Sequence, residues 1–203
     1  MRVVVGTSGY AYKEWKGSFY PADLKAEEML RFYGTQFRTV EINNTFYRMP
    51  SEKLLLGWSQ QVPDSFTFVL KASQRITHQK RLKEVSEEVG YFLRTASVLG
   101  EKLGPTLFQL PPNFKKDLPR LKDFLALLPQ RWRAALEFRH VSWYDDEVYE
   151  ALRAHNAALC AADTDEEDAK LVATADWGYL RLRRVAYDEA QLRSWAERIG
   201  QQS

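Results

Sequence analysis

The sequence predicts a parallel α/β fold, and three observations carry that prediction. Seven short apolar runs of strand length recur along the chain, each ending at turn-forming or polar residues. Longer segments with apolar residues at helical spacing lie between these runs. No stretch rich in Ser, Pro or Gly divides the 203 residues, so we interpret residues 1–203 as one domain. Alternation of strands and helices through a whole domain is typical of a parallel sheet.

The predicted strands are short and rich in β-branched or other apolar residues. The first, Arg2–Gly6, contains three consecutive valines and closes at a glycine. The following apolar runs end at polar or turn-forming residues in the same way. These six runs are Thr39–Ile42, Phe66–Lys71, Thr106–Leu110, Ala134–Phe138, Ala158–Asp163 and Tyr179–Arg183.

The predicted helices place apolar side chains on one face. In the first, Met29, Leu30, Tyr33 and Phe37 recur at helical spacing. Asp188 directly precedes the last helix, where its carboxylate is suited to cap the free backbone N–H groups. The five helices predicted in this way are Ala26–Phe37, Glu84–Leu99, Leu118–Leu128, Asp145–His155 and Glu189–Ile199.

Two architectures fit this alternation, the doubly wound open sheet and the (β/α)8 barrel. Central strands of an open sheet are apolar on both faces. Here polar residues alternate with apolar ones near the strand ends, as Glu137 and Arg139 do with Leu136 and Phe138. No G-x-G-x-x-G turn follows the first strand, so the dinucleotide-binding motif is missing. The pattern therefore favours a TIM-barrel-like (β/α) barrel with polar groups in its mouth.

The candidate site consists of polar residues near the C-terminal ends of the predicted strands, where TIM barrels carry their active sites. Six of the eight are charged, three of each sign, and burying them is costly unless they pair. They form either a functional site or a salt-bridged plug of the barrel mouth. The eight are Glu41, Asn43, Lys71, Gln109, Glu137, Arg139, Asp163 and Arg181.

Roles follow from residue type. Arginine offers a two-pronged fork to phosphate or carboxylate, and Lys71 would act as a Schiff-base nucleophile if it were desolvated. Aromatic side chains on the loops suit stacking on a sugar or a base. The predicted acid–base groups are Glu41, Glu137, His140 and Asp163. The predicted ligand-binding residues are Ser8, Tyr12, Trp15, Asn43, Tyr47, Lys71, His78, Gln109, Arg139 and Arg181.

Motifs in a fixed order run through the whole chain. The first is Gly6-Thr7-Ser8-Gly9-Tyr10-Ala11-Tyr12, and the second strand carries Val40-Glu41-Ile42-Asn43-Asn44-Thr45-Phe46-Tyr47-Arg48. Later blocks include Phe108-Gln109-Leu110-Pro111-Pro112, Glu137-Phe138-Arg139-His140 and Tyr179-Leu180-Arg181. Together they resemble the YecE-like family, the domain of unknown function 72. The resemblance implies a TIM-barrel-like fold and no defined reaction.

The C-terminal part of the sequence departs from the family pattern. Members usually continue past the last helix into an eighth strand, whereas this sequence ends at Gln201-Gln202-Ser203. We therefore expect seven strands, a missing eighth strand and a barrel open between its first and last strands. Two unpaired edges would favour self-association by strand pairing.

Composition restricts the partners and cofactors. The 29 basic and 27 acidic residues give a net charge of +2, which argues against a nucleic-acid binder driven by bulk charge. The single Cys160 and three histidines provide no cysteine zinc site, so a divalent metal is conceivable but not favoured and the cofactor is unknown. No stretch reaches the length of an apolar membrane span, and we expect a cytoplasmic protein with no membrane partner.

Three functions remain open at this point. The leading hypothesis is a hydrolase or lyase that acts on a small polar or anionic ligand at the barrel mouth. The first alternative is a nucleic-acid-binding or phosphodiester-cleaving protein, suggested by the basic segment 71–83 and the loop aromatics. The second is a shortened, non-catalytic interaction protein.

Overall fold

The computed structural model describes residues 2–201, which form an α/β fold around one curled, seven-stranded parallel sheet. The strands follow one another in chain order across the sheet, and every neighbouring pair is parallel. Their bounds are β1 Gly6–Ser8, β2 Thr39–Ile42, β3 Thr67–Lys71, β4 Leu103–Gln109, β5 Ala134–Glu137, β6 Ala158–Asp163 and β7 Tyr179–Leu182. The predicted α/β class and strand count are confirmed for this part of the chain.

Helices connect the successive strands from β1 to β6, whereas residues 164–178 join β6 to β7 without a helix; each connection crosses over, as parallel pairing requires. The α-helices are α1 Met29–Gln36, α2 Asn44–Tyr47, α3 Glu52–Ser59, α4 Ser86–Ala96, α5 Leu118–Ala126, α6 Asp146–Ala154 and α7 Glu189–Gly200. Short 3-10 turns cover Lys13–Trp15, Ala26–Glu28, Ser97–Lys102 and Val141–Trp143, and one π-helical turn covers Arg75–Gln79. Asp188 caps α7 in a capping box with Gln191, which confirms the predicted cap.

Helix α3 was not predicted from the sequence. It begins at the N-cap Ser51, whose hydroxyl accepts a hydrogen bond from the Leu54 backbone N–H. Its inner face buries Leu55 and Trp58, while Leu54 remains 44 % exposed. The run of three leucines hides the helical spacing of this face, so the periodicity gives no clear signal.

Strand β1 lies further along the chain than the sequence predicted. The predicted run included Val3 and Val5, which the structure leaves 55 % and 67 % exposed ahead of the strand. Pairing with β2 begins at Gly6 instead, opposite Thr39. A Cβ at Gly6 would lie 2.1 Å from the Thr39 carbonyl oxygen, so the close approach of these strands requires glycine there. The predicted position of the first strand was therefore wrong.

The curl of the sheet separates an outer face from an inner one. The large apolar core lies on the outer face and includes β-strand side chains such as Phe68, Phe108 and Leu136. A small inner cluster joins Leu107, Ala135 and Cys160. Side chains on β7 reach those of β1 and β2 across the inner space, so the sheet curves back on itself. Among residues 2–201, strand pairing runs from β1 to β7 without a ladder between these two.

Within residues 2–201, β1 and β7 are the edge strands of the sheet, each with one neighbouring strand, and self-association through these edges stays a prediction. The exposed Val5 beside β1 adds apolar surface to that edge. We expect light scattering to give a mass above 23.6 kDa that rises with concentration, and Val5→Lys to shift the protein towards the monomer. A strictly monomeric protein at all concentrations would contradict edge pairing.

Within residues 2–201, no helix combines the length and the hydropathy needed to cross a bilayer. The expected cytoplasmic location stays a prediction.

Candidate functional site

The inner face of the sheet carries a charged cluster at the C-terminal ends of its strands, and Arg181 on β7 lies at its centre. The Arg181 guanidinium donates from Nη1 to Glu137 Oε2 at 2.6 Å and from Nη2 to Glu41 Oε1 at 2.8 Å. All three side chains are almost completely buried, with 7 % or less exposed. Since one guanidinium binds both carboxylates, Glu41 and Glu137 lie on the same face of the sheet. We call these three residues with Lys71 and Arg139 the mouth cluster.

Glu41 is held from three sides by residues near the strand ends. The Ser8 hydroxyl donates to Glu41 Oε1 at 2.5 Å, and the Tyr179 hydroxyl donates to Oε2 at 2.8 Å. Asn43 in turn donates from Nδ2 to the Ser8 hydroxyl at 2.8 Å. With Arg181 on the same carboxylate, both oxygens of Glu41 are engaged. Ser8, Glu41 and Asn43 thus form one connected network, as their predicted common site requires.

Glu137 is bound by three donors as well. Gln109 donates from Nε2 to Oε1 at 2.7 Å, and Arg139 donates from Nε to the same oxygen at 3.3 Å. Burial opposes ionisation, but Arg181 and Arg139 outweigh it, and hydrogen bonds from Arg181 and Gln109 add to them. The pKa of Glu137 is therefore held below its ordinary value. In this state Glu137 is an anion that anchors two arginines rather than a proton donor at neutral pH.

Lys71, the last residue of β3, differs from the other charged residues of the mouth cluster. It is 9 % exposed, and its Nζ makes no hydrogen bond or ion pair within residues 2–201. The amine instead lies 4.3 Å from the centre of the Phe46 ring. Burial lowers the pKa of Lys71 to about 8; Arg181 and Arg139 also lower it, while Glu137 and Glu41 oppose them. The described structure thus holds an amine that is partly neutral near physiological pH.

The amine nevertheless keeps contact with solvent. Every fully buried side-chain nitrogen and oxygen of the described residues has a hydrogen-bond partner. The unpartnered Lys71 Nζ is therefore not fully enclosed.

His78, in the loop after β3, packs against the same Phe46 ring that Lys71 contacts. The two rings are nearly perpendicular, with 4.9 Å between their centres. His78 lies in the π-helical turn Arg75–Gln79, a rare conformation that often occurs at functional sites. Burial lowers the pKa of His78, and the charges of Lys71 and Arg139 lower it further. His78 thus lies within electrostatic reach of the mouth cluster, and its role in binding stays a prediction.

Asp163 does not join the mouth cluster, contrary to the sequence-based grouping. In the β6–β7 register Ala162 is opposite Arg181, whereas Asp163 is opposite Leu182. Asp163 therefore lies on the outer face, where it accepts hydrogen bonds from Arg184 Nε at 2.7 Å and Tyr187 OH at 2.8 Å. The sequence Ala-Leu-Cys-Ala-Ala-Asp has small apolar residues on both faces, so alternation could not assign its inner side.

This placement predicts that Asp163 stabilises the outer face and does not touch the ligand. Asp163→Asn should lower the free energy of unfolding by about 1–2 kcal/mol, because the Arg184 pair and its charge-assisted hydrogen bonds are weakened. Chemical denaturation measures the loss, and a ligand-induced thermal shift should persist in the variant. A variant of unchanged stability that no longer responds to ligand would contradict the structural role.

His140 caps the 3-10 turn that follows β5. Its Nδ1 accepts from the Ser142 backbone N–H at 3.1 Å and lies 2.8 Å from the Ser142 hydroxyl. An accepting Nδ1 places the ring proton on Nε2 in the neutral form. The local hydrogen bonds explain the position of His140, and its predicted acid–base role stays a prediction.

The three aromatic residues predicted to bind a ligand, Tyr12, Trp15 and Tyr47, differ in how they are held and how exposed they are. Tyr12 packs on Trp15 at 4.7 Å between ring centres, and its hydroxyl donates to the Ser8 carbonyl. Trp15 also packs edge-on against Phe19 in the first loop. Tyr47 on α2 is 72 % exposed. Tyr12 is thus tied to a strand end of the site, whereas Tyr47 is free to contact a ligand from outside.

The basic segment 71–83 that suggested nucleic acid is neutralised in part. Arg75 and Lys80 both form ion pairs with Glu88, each at 2.9 Å. Lys116 is paired with Asp145 and Glu147. These pairs reduce the local positive potential on which phosphate-backbone binding depends. As for metals, no group of three His, Cys, Asp or Glu in the described part of the chain is arranged to hold an ion.

Two residues of this region were missed from the sequence. Tyr179 is two residues before Arg181 on β7, so the alternation that selected Arg181 could have selected it too. Its pKa is raised well above the ordinary value by burial and by the nearby Glu41 carboxylate, so it remains a hydrogen-bond donor. Arg184, the partner of Asp163, lies beyond β7, and no periodic signal indicates it.

Fold and site together define a parallel α/β protein whose polar cluster lies at the C-terminal edge of its sheet, the usual site position in such folds. Residues 4–203 match the family described as "Protein of unknown function DUF72". The chain belongs to this family.

Relatives and solved structures agree with that assignment. The chain is 34 % identical to UPF0759 protein YecE of Escherichia coli K12 over 116 residues, which is 57 % of this chain and 43 % of that protein. It is 29 % identical to UPF0759 protein YunF of Bacillus subtilis 168 over 160 residues, 73 % of this chain and 54 % of that protein. The matches thus span about half the length of these relatives.

The fold resembles that of solved family members. A crystal structure of the DUF72 family protein TM1631 of Thermotoga maritima superposes with a TM-score of 0.85 at 30 % identity, covering 98 % of this chain and 87 % of that one. The DUF72 family protein EF0366 of Enterococcus faecalis V583 gives 0.69 at 20 % identity, covering 83 % and 78 %. The second likeness concerns the fold alone.

Proposed function

We propose that this protein is an enzyme of the hydrolase or lyase type that binds a small anionic ligand at the mouth cluster. The observation that carries the proposal is the unequal pairing of charge in the cluster. Two carboxylates, Glu41 and Glu137, face three cationic side chains, and both carboxylates are already fully engaged. The excess positive charge therefore lies on Arg139 and on the protonated fraction of Lys71, which favours an anion.

Arg139 is the residue best suited to meet such a ligand. Its side chain is 36 % exposed and is bound only through Nε, to Glu137. Its terminal nitrogens have no acceptor among residues 2–201, so they are free to hold a carboxylate or phosphate by two parallel hydrogen bonds. Arg181, in contrast, is paired with both Glu41 and Glu137 and serves to position them.

The proposal includes a barrel-like architecture for the sheet. The sheet is the greater part of a TIM-barrel-like barrel that is open between β7 and β1, where an eighth strand would lie. Support comes from Tyr179 and Arg181, whose side chains on β7 bind Ser8 and Glu41 on β1 and β2. The ends of the sheet therefore face each other across one inner space, as in a barrel.

A thermal-shift titration with inorganic phosphate and with small carboxylates tests the binding. We expect at least one of these anions to raise the melting temperature of the wild type, and Arg139→Ala to abolish that rise. Arg193→Ala is the matched control, because Arg193 lies on the exposed face of α7 and pairs only with Glu189. If no anion stabilises the wild type, or if both variants lose the rise equally, the mouth cluster is a structural plug.

A further inference from the structure

Lys71 has properties that simple anion binding does not require. An exposed ammonium group, such as that of a surface lysine, would attract an anion equally well. Lys71 is instead inserted among the buried strand ends, on the Phe46 ring, without an acceptor for its N–H groups. Burial without an acceptor disfavours the ammonium form more than the Phe46 ring and the two carboxylates favour it, so the amine lone pair is available.

The reach of Arg139 adds a second requirement on the ligand. Lys71 is opposite Leu107 on β4, and Gln109 of the same strand shares Glu137 Oε1 with Arg139, so the amine and the guanidinium lie at neighbouring strand ends. A ligand bound by its anionic group to the free terminal nitrogens of Arg139 would therefore extend towards the amine. A carbonyl carbon at that position would meet a nucleophile.

We propose that Lys71 forms a Schiff base with a small aldehyde or ketone that carries a carboxylate or phosphate bound by Arg139. This inference rests on the proposed function and deepens it, because imine formation is the chemistry of a lyase rather than of a hydrolase. The substrate class is thus an oxo acid or a phosphorylated carbonyl compound.

The covalent step is balanced without an oxidant or a reductant. The neutral Lys71 amine attacks the carbonyl carbon and forms the C–N bond, and one amine proton passes to the oxygen. The resulting hydroxyl takes a second proton from solvent and leaves as water. The product is an iminium with one positive charge, the charge that the Lys71 ammonium would have carried. The electrostatic balance with Glu41 and Glu137 is therefore preserved.

Reductive trapping tests the proposal on the wild-type protein. The protein is incubated at about pH 7.5 with pyruvate, an oxo acid, or glycolaldehyde phosphate, a phosphorylated aldehyde, in the presence of cyanoborohydride. Peptide mapping by mass spectrometry then assigns the reduced adduct. We expect Lys71 to be labelled at least about tenfold faster than Lys122, an exposed lysine on α5, because far more of its amine is neutral. Which probe reacts distinguishes the carboxylate from the phosphate class.

The variant Lys71→Arg and the wild type together separate the possible failures. Lys71→Arg keeps the charge but cannot form the imine, so it should lose the adduct and still bind phosphate or lactate, which carries a carboxylate without a carbonyl. If the wild type binds these anions but neither probe labels Lys71 above Lys122, the Schiff base is wrong and the anion site stands. If no anion binds and no adduct forms, both proposals are wrong.

Discussion

Arg181→Met is expected to destabilise the protein by about 3–5 kcal/mol, the usual cost of removing one partner from a buried ion pair. Arg181 is 7 % exposed and is the cation that binds both Glu41 and Glu137. Its loss leaves two buried carboxylates facing each other with fewer donors, and each must then protonate or attract water. Urea denaturation at neutral pH measures the difference in the free energy of unfolding.

Two further variants show whether the loss comes from the buried carboxylates. Arg193→Met removes an exposed arginine–glutamate pair on α7 and should cost no more than about 1 kcal/mol. Adding Glu41→Gln and Glu137→Gln to Arg181→Met removes the uncompensated charges and should recover part of the stability. If Arg181→Met costs less than about 1 kcal/mol, Arg181 is not the central residue of the cluster.

Lys71→Met is expected to stabilise the protein at neutral pH by about 3 kcal/mol. The pKa of Lys71 falls from 10.5 to about 8 in the folded protein, and each unit of pKa corresponds to about 1.4 kcal/mol. Below pH 8 the folded protein must hold a buried ammonium, so the full penalty applies there. Methionine fills a similar volume beside Phe46 without the charge.

The same shift gives a pH dependence with a defined sign. Between about pH 8 and 10.5 the unfolded chain binds the Lys71 proton and the folded protein does not, so stability rises with pH. Relative to Lys71→Met, the wild type should gain roughly 1 kcal/mol between pH 7 and 9. The raised pKa values of Cys160 and Tyr179 act in the opposite direction, and the comparison with the variant removes their contribution. A constant difference across this range would contradict the shift.

Alternation along the strands was sufficient to predict most of the mouth cluster. On a strand with a distinct apolar face, every second residue lies on the inner face. This rule correctly assigned three members of the cluster, Glu41, Glu137 and Arg181, and the neighbouring Gln109. On β6 both faces are small and apolar, and there the same reasoning assigned Asp163 to the wrong side. The pairing register between β6 and β7, which the sequence alone does not provide, shows on which face Asp163 lies.

Properties that depend on three-dimensional packing could not be predicted. The sequence indicated that Lys71 would be reactive only if desolvated, and its burial depends on packing by other elements, such as the Phe46 ring of α2. Likewise, the position of β1 depends on the close contact at Gly6 rather than on the valine run before it. Both depend on long-range contacts to which local propensity is insensitive.

The central claim is that the mouth cluster holds a partly neutral, ligand-accessible amine at Lys71. An NMR titration of the lysine Cε resonances, with Lys71 assigned by its absence in Lys71→Met, measures this directly. We predict a pKa of about 8 for Lys71 and an increase in that pKa when a bound anion is added, because the anion stabilises the ammonium form. An ordinary lysine pKa that no anion changes would contradict the account.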